Sequence, residues 1–187
     1  MNGSEGEQVT DHPIIFSAEM ARAVQSRRKT ETRRLVKKSD PYHNWKVGDR
    51  LWLRETWGRL DDQVCPGQVR PGHEGHLVFS AEHDTVSAEH DTDREQLRDQ
   101  RWRSPLLLRK TNARIWMEIT HRRIESLREI TLTGIVREGW PGSDNPMQAA
   151  WWFQELWDRL HGDKPYRFQD NPNVWVIGFR KIEPPAR

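Results

Sequence analysis

The chain has 187 residues, of which 34% are hydrophobic and 31% charged, and its 30 basic and 28 acidic side chains leave a net charge of +2. This length suits one well-cored domain, and a charge so close to balance does not indicate bulk binding of nucleic acid. No apolar stretch reaches bilayer length, residues 1–11 lack the apolar segment of a secretory signal, and Cys65 is the only cysteine, so we expect a cytoplasmic protein without membrane contact.

The first predicted element is a short amphipathic helix. Ser17 is a good N-cap residue, and apolar residues recur at three-to-four spacing from Met20 to Val24. Arg27 and Arg28 at the helix exit complement the negative end of the helix dipole.

A basic run follows this helix and carries the most informative residues of the chain. If it is extended, Thr32 and Arg34 share one face while Glu31 and Arg33 share the other, since side chains alternate along a strand. Lys29 lies at the corner between helix and strand, so it could converge with Thr32 and Arg34 on one ligand. The alternative is a solvated basic run, which is the usual fate of such charges.

The middle of the chain contains one clear strand and one irregular segment. Leu51 and Leu53 alternate with polar and aromatic residues after a turn at Gly48, which predicts a strand. From about residue 60 to 112 the pattern decays, and a six-residue sequence at 80–85 recurs at 87–92. We interpret this stretch as a variable insertion on the surface of a single domain spanning 1–187, with a core at about 12–182.

Regular structure is predicted to resume at Ala113. The predicted elements are a strand over 113–120, a capping box at Ser126 and Glu129, a helix over 132–138 with Gly139 as its C′ residue, a helix from Asn145 and Pro146 to Gly162, and a strand over 174–182. The long helix has an apolar stripe of Ala149, Trp152, Phe153, Leu156, Trp157 and Leu160. This order of elements predicts an α+β fold, a small and mostly antiparallel β-barrel with flanking helices.

The basic run resembles the signature GxKxxExR of the ASCH family, a group of PUA-like domains. The signature lysine falls on Lys29, its variable acidic or threonine position on Thr32, and its arginine on Arg34. Arg27 stands at the glycine position, where we expect the backbone to resist a positive φ. Three flanking blocks look like the phage and prophage branch of the family: residues 13–17, 46–57 and 171–177. The resemblance as a whole spans about His12 to Ile182.

The resemblance implies a catalytic set. Small ASCH amidohydrolases remove acyl groups from the exocyclic nitrogen of modified cytidines with a lysine, a threonine and a glutamate from a later helix. Here these residues would be Lys29, Thr32 and Glu138. The chemistry is reasonable, because a threonine hydroxyl needs a base and a lysine serves as one only when burial or a neighbouring cation lowers its pKa. The alternative for Glu138 is that it is simply the last polar residue of its helix.

Four further residues are predicted to contact the substrate. Arg33 and Arg34 could hold its anionic groups, Glu55 could face a base edge, and Trp57 could stack on a nucleobase. Each has an alternative, since a strand carboxylate such as Glu55 commonly pairs with an arginine and large aromatic rings are commonly buried.

We therefore expect a protein that binds a nucleobase, a modified nucleoside or RNA, with RNA favoured over DNA, and that acts as a monomer without metal or cofactor. As an enzyme it would be an N4-acylcytidine amidohydrolase. The alternative is a non-catalytic RNA- or DNA-binding module of phage origin, in which arginines hold phosphates. A ribonuclease-like activity is disfavoured, because no histidine pair occupies a suggestive position.

Overall fold

The computed structural model describes residues 8–60, 76–83, 101–142, 145–162 and 165–185. The described parts fall into two compact units, the first within residues 1–12, 23–52 and 115–187 and the second within residues 13–22 and 53–114. Much of the predicted insertion, including most of the duplicated sequence, lies outside the described residues. Among the helices of the described residues, none is long and apolar enough to cross a membrane.

One sheet has five strands, three of which lie wholly within the first unit. Its strands are β1 (Asp11–Ile15), β2 (Glu31–Leu35), β3 (Arg50–Arg54), β6 (Trp116–Ser126) and β7 (Asn173–Ile182), in the order β1-β3-β6-β7-β2. β2 pairs with β7, β7 with β6 and β6 with β3, all antiparallel. The α+β class is confirmed, but the predicted closed barrel is wrong. Within the described residues β1 and β2 are the two ends of an open sheet, because they pair with β3 and β7 and not with each other.

The helices of the first unit follow their predicted signals closely. α3 (Leu132–Arg137) begins at the N-cap Thr131, and Gly139 beyond its end has a φ of +102°. α4 (Pro146–His161) begins at Asn145, whose side chain accepts hydrogen bonds from two backbone N–H groups, and ends at Gly162. Ser126 and Glu129 form the predicted capping box on a single 3₁₀ turn.

One core joins α3, α4 and the sheet. Its buried members are Leu127, Ile135, Ala149, Phe153, Trp157, Val174 and Val176. The apolar stripe predicted for α4 is therefore confirmed in its centre, whereas Leu160 at its end is 59% exposed. Both faces of β7 are covered, since Trp175 and Ile177 on one face and Val174 and Val176 on the other are all buried.

The exit from α1 (Ala18–Gln25) corrects one expectation. Arg27 adopts a φ of +60° although it is not glycine. Two backbone hydrogen bonds hold this turn, from Arg27 N to Val24 O at 3.0 Å and from Lys29 N to Ala23 O at 2.9 Å. These bonds outweigh the steric penalty of a left-handed residue, about 1–2 kcal/mol.

The second unit has a small sheet and core of its own. β4 (Trp57–Leu60) and β5 (His76–Phe79) form an antiparallel pair, and a single bridge joins Trp57 to Arg103. The short helix α2 (Ser80–His83) follows β5, and two 3₁₀ turns lie at Pro105–Leu107 and Lys110–Asn112. Trp57, Phe79 and Leu108 form the buried cluster. The described part of the predicted insertion thus contains a strand, a short helix and two 3₁₀ turns.

Candidate functional site

The candidate site centres on a buried ion pair in the first unit. Lys29 is 3% exposed, and its Nζ lies 2.5 Å from Glu138 Oε2. The same ammonium donates to the backbone carbonyl of Glu138 at 2.9 Å. Lys29 comes from the turn before β2 and Glu138 from the C-cap of α3, so residues 109 positions apart meet here.

Gly139 allows this approach. A Cβ on Gly139 would lie 3.2 Å from Ala23 Cβ and 3.3 Å from Lys29 Cβ, tighter than ordinary side-chain contacts. Its positive φ is also one that residues with a Cβ rarely adopt. The glycine therefore ends α3 and admits the lysine stem against the helix terminus.

Arg33 forms the second half of the ion network. Its Nη1 lies 3.3 Å from Glu138 Oε1, and its Nε and Nη2 contact Glu125 Oε1 at 2.9 and 2.8 Å. Gly134 in α3 makes room for this guanidinium, since a Cβ there would lie 2.8 Å from Arg33 Nη2. Arg33 is buried, and it holds Glu138 and Glu125 rather than standing at an open surface.

Glu31 is a buried carboxylate that sequence reasoning did not select. It is 1% exposed and accepts a hydrogen bond from Arg137 Nη1 at 3.0 Å, and His121 Nε2 lies 3.1 Å from the same oxygen. The His121 ring crosses over Gly178 to reach it, and a Cβ on Gly178 would overlap that ring. The alternation that put Glu31 and Arg33 on one face was visible in the sequence, but the row Glu31, Gly178, His121 depends on strand register.

Thr32 and Arg34 lie on the opposite face of β2 from Arg33, as strand alternation requires. Thr32 is 3% exposed, opposite Ile177 of β7, so its hydroxyl does not point into bulk solvent. The two hydrogen bonds given above for the Lys29 ammonium both go to Glu138. The structure thus joins Lys29 and Arg33 through Glu138, whereas Thr32 lies in the same strand as Arg33 with its side chain on the other face.

The electrostatics favour a lysine that gives up its proton more readily than usual. Burial lowers the pKa of the Lys29 ammonium, and Glu138 opposes that shift by charge and by hydrogen bonding. The positive charges of Arg34 and Arg33 lower the pKa further. The net direction is downward, because desolvation of a buried cation outweighs its single carboxylate partner here.

Glu55 and Trp57, the other predicted contacts, belong to the second unit. Glu55 is 1% exposed and forms a two-point ion pair with Arg114, at 3.0 and 2.8 Å. Trp57 is buried, with the Arg103 guanidinium 5.1 Å from its ring centre. A substrate contact by either residue stays a prediction. In the described part of the chain no group of three or more His, Cys, Asp or Glu side chains could hold a metal ion.

No protein-family model and no curated protein matches the chain. Among solved structures, the ASCH domain from Lactobacillus crispatus JV V101 aligns with a TM-score of 0.49 and 9% identity, over 93% of this chain and 80% of that one. The chain is similar in structure to an ASCH domain. A protein from Enterococcus faecalis V583 aligns with a TM-score of 0.46 and 11% identity over 96% and 84% of the two chains. A hypothetical protein aligns with a TM-score of 0.44 and 10% identity, over 92% of this chain and 100% of that one. The phage or prophage branch stays a prediction.

Proposed function

We propose that this protein hydrolyses the acyl amide on the exocyclic nitrogen of an N4-acylated cytidine. The observation that carries the proposal is the buried contact between Lys29 Nζ and Glu138 Oε2 at 2.5 Å. A lysine and a carboxylate so placed form an acid–base pair, and the hydroxyl-bearing residue Thr32 follows the lysine by three positions in the chain. The resemblance of Lys29, Thr32 and Arg34 to the ASCH signature supports the choice of substrate class.

In the proposed reaction substrate binding brings the Thr32 hydroxyl within reach of neutral Lys29, which takes the hydroxyl proton while the Thr32 oxygen attacks the acyl carbon. The carbon–nitrogen bond then breaks, and the proton held by the Lys29–Glu138 pair passes to the departing amino nitrogen. The products of this step are an acyl ester on Thr32 and the free cytosine amine. Water hydrolyses the ester, releases the carboxylic acid and restores the hydroxyl.

The ion network supplies the protonation state that this step needs. Lysine acts as a base only when neutral, and burial, Arg34 and Arg33 shift its pKa in that direction. Because the neutral form gains with rising pH, we expect kcat/KM to rise with pH through the lowered pKa of Lys29. Lys29→Arg keeps a cation that does not lose its proton at these pH values, so it should abolish the rise of kcat/KM with pH.

The direct test uses the full chain with N4-acetylcytidine, and chromatography to detect cytidine and acetate. Wild type should turn the nucleoside over, whereas Thr32→Ala and Lys29→Ala should lower kcat by about two orders of magnitude or more. Two variants serve as matched controls, Thr133→Ala on the exposed face of α3 and Lys38→Ala after β2. Absence of turnover on N4-acetylcytidine and on related N4-acyl cytidines would refute the proposal.

A second function has one observation in its favour. Both Glu138 oxygens are already engaged, one by Lys29 and one by Arg33. Such a network can be a fixed scaffold that orients a binding surface for RNA instead of reacting. Tight, steeply salt-dependent binding of an RNA oligonucleotide without turnover would favour this module.

A further inference from the structure

The first unit contains a cavity that the proposed reaction does not use. Its volume is about 380 Å³, within the range of small-molecule sites. Its walls come from the end of β2, the loop that follows and the last residue of α4, and they include Arg34, Lys37, Ser39, Asp40, Tyr42 and His161.

Two cations and one structural carboxylate set the charge of this cavity. Arg34 and Lys37 are the cations. The Asp40 oxygens are occupied, since Oδ1 accepts from Tyr42 N at 2.9 Å and Oδ2 from Lys37 N at 2.8 Å and Trp175 Nε1 at 3.2 Å. Asp40 therefore holds the loop in shape. With the positive charges of Arg34 and Lys37 and the negative charge of Asp40, the walls have a net charge of +1.

His161 adds a neutral polar group. Burial lowers its pKa, and the nearby charges of Arg34 and Lys37 lower it further against the opposing Asp158. Its Nδ1 is buried and has no hydrogen-bond partner within the described residues. This nitrogen is closed off from solvent, so His161 contributes an uncharged wall to the cavity and its Nδ1 makes no hydrogen bond to a ligand there.

We infer that this cavity binds a phosphate group of the substrate. The inference rests on the proposed function, because it places the acylated cytidine and its phosphate on one strand. Thr32 and Arg34 share a face of β2 and are two residues apart, a span of about 6.6 Å along the strand. Arg34 lines the cavity, and its charge lowers the pKa of both Lys29 and His161. An arginine and a lysine around a neutral histidine match a singly charged phosphodiester or a phosphate monoester.

The substrate class is therefore a nucleotide, either free or within RNA, in preference to a nucleoside. Two measurements test this with the full chain. The first is calorimetric binding of cytidine 5′-monophosphate to Thr32→Ala, alone and combined with Lys37→Gln or Lys38→Gln. Lys37→Gln should weaken binding about three- to fivefold, the upper end of the scale of one exposed charge contact. Lys38→Gln, which removes the same charge outside the cavity, should change it less than twofold.

The second measurement compares kcat/KM for N4-acetylcytidine, its 5′-monophosphate and an RNA oligonucleotide that carries it. Wild type should prefer at least one phosphate-bearing substrate, and Lys37→Gln should remove that preference while leaving turnover of the nucleoside unchanged. Turnover without preference, together with equal effects of Lys37→Gln and Lys38→Gln, would overturn the phosphate site and leave the proposed function intact. Monophosphate binding that depends on Lys37, with no turnover of any substrate, would retain the site and reject the hydrolase.

Discussion

The substitution Gly134→Ala tests whether the buried ion network governs the stability of the site. In an ordinary helix this change would stabilise by about 1 kcal/mol, since alanine has the higher helix propensity. Here the new Cβ would lie 2.8 Å from Arg33 Nη2 and 3.1 Å from Ile130 Cγ1. Arg33 is buried and held by Glu125 and Glu138, so it cannot swing away into solvent.

The expected sign of the stability change follows from comparing the gain in helix propensity with the loss of Arg33 contacts. Displacing Arg33 weakens its two carboxylate contacts, and a hydrogen bond to a charged group contributes about 1.5–3 kcal/mol. The net effect is a loss of about 2 kcal/mol in the free energy of unfolding, after the gain in propensity. We expect a lower urea midpoint with an unchanged denaturant slope.

Two comparisons make this prediction specific to Arg33. Thr133→Ala, at an exposed neighbouring helix position, should be neutral or slightly stabilising. In an Arg33→Ala background, Gly134→Ala should lose most of its penalty, because the guanidinium is gone. A stabilising Gly134→Ala, or an equal penalty in both backgrounds, would refute the reasoning.

Three further predictions concern the backbone and pH. Arg27→Gly should raise the free energy of unfolding by about 0.5–1 kcal/mol, because it relieves the steric strain of a side chain at a φ of +60°. Arg28→Gly, the control, should not raise it, and chemical denaturation of both variants measures the difference. Gly178→Ala should shift the His121 ring signals in NMR spectra, since the new methyl overlaps that ring. Burial opposes ionisation of Asp49, but hydrogen bonds from His12 and two backbone N–H groups prevail and lower its pKa. Asp49→Asn should thus destabilise at pH 7, and its difference from wild type should shrink as the pH falls below about 4; an undiminished difference at low pH would contradict this.

Local signals in the sequence predicted the elements that carry the site. Ser17 accepts a hydrogen bond from Met20 N as an N-cap should, and Gly139 ends α3 with a positive φ. Alternation placed Glu31 and Arg33 on one face of β2. These features depend on neighbours within a few residues, which is why periodicity and capping rules capture them.

Long-range features were missed because they depend on pairing partners. β6 is longer than the predicted strand and shifts register between Ile119 and His121, which turns His121 toward Glu31. The open sheet likewise depends on β1 and β2 having different neighbours. Arg27 adopts its left-handed backbone because the Lys29 N–H reaches Ala23, a contact that no local propensity encodes.

The position of β2 at the end of the sheet has a consequence beyond chemistry. A terminal strand offers its outer backbone groups to any other extended chain, and proteins protect such strands with charged side chains. In β2 Glu31 and Arg33 are buried, inward-pointing charges and Arg34 is a partly exposed one, and both kinds of charge protect terminal strands in other proteins. We expect these three charges to oppose self-association. Replacing them all with apolar residues should therefore yield aggregates before it yields an inactive monomer, and light scattering should accompany every assay of such variants.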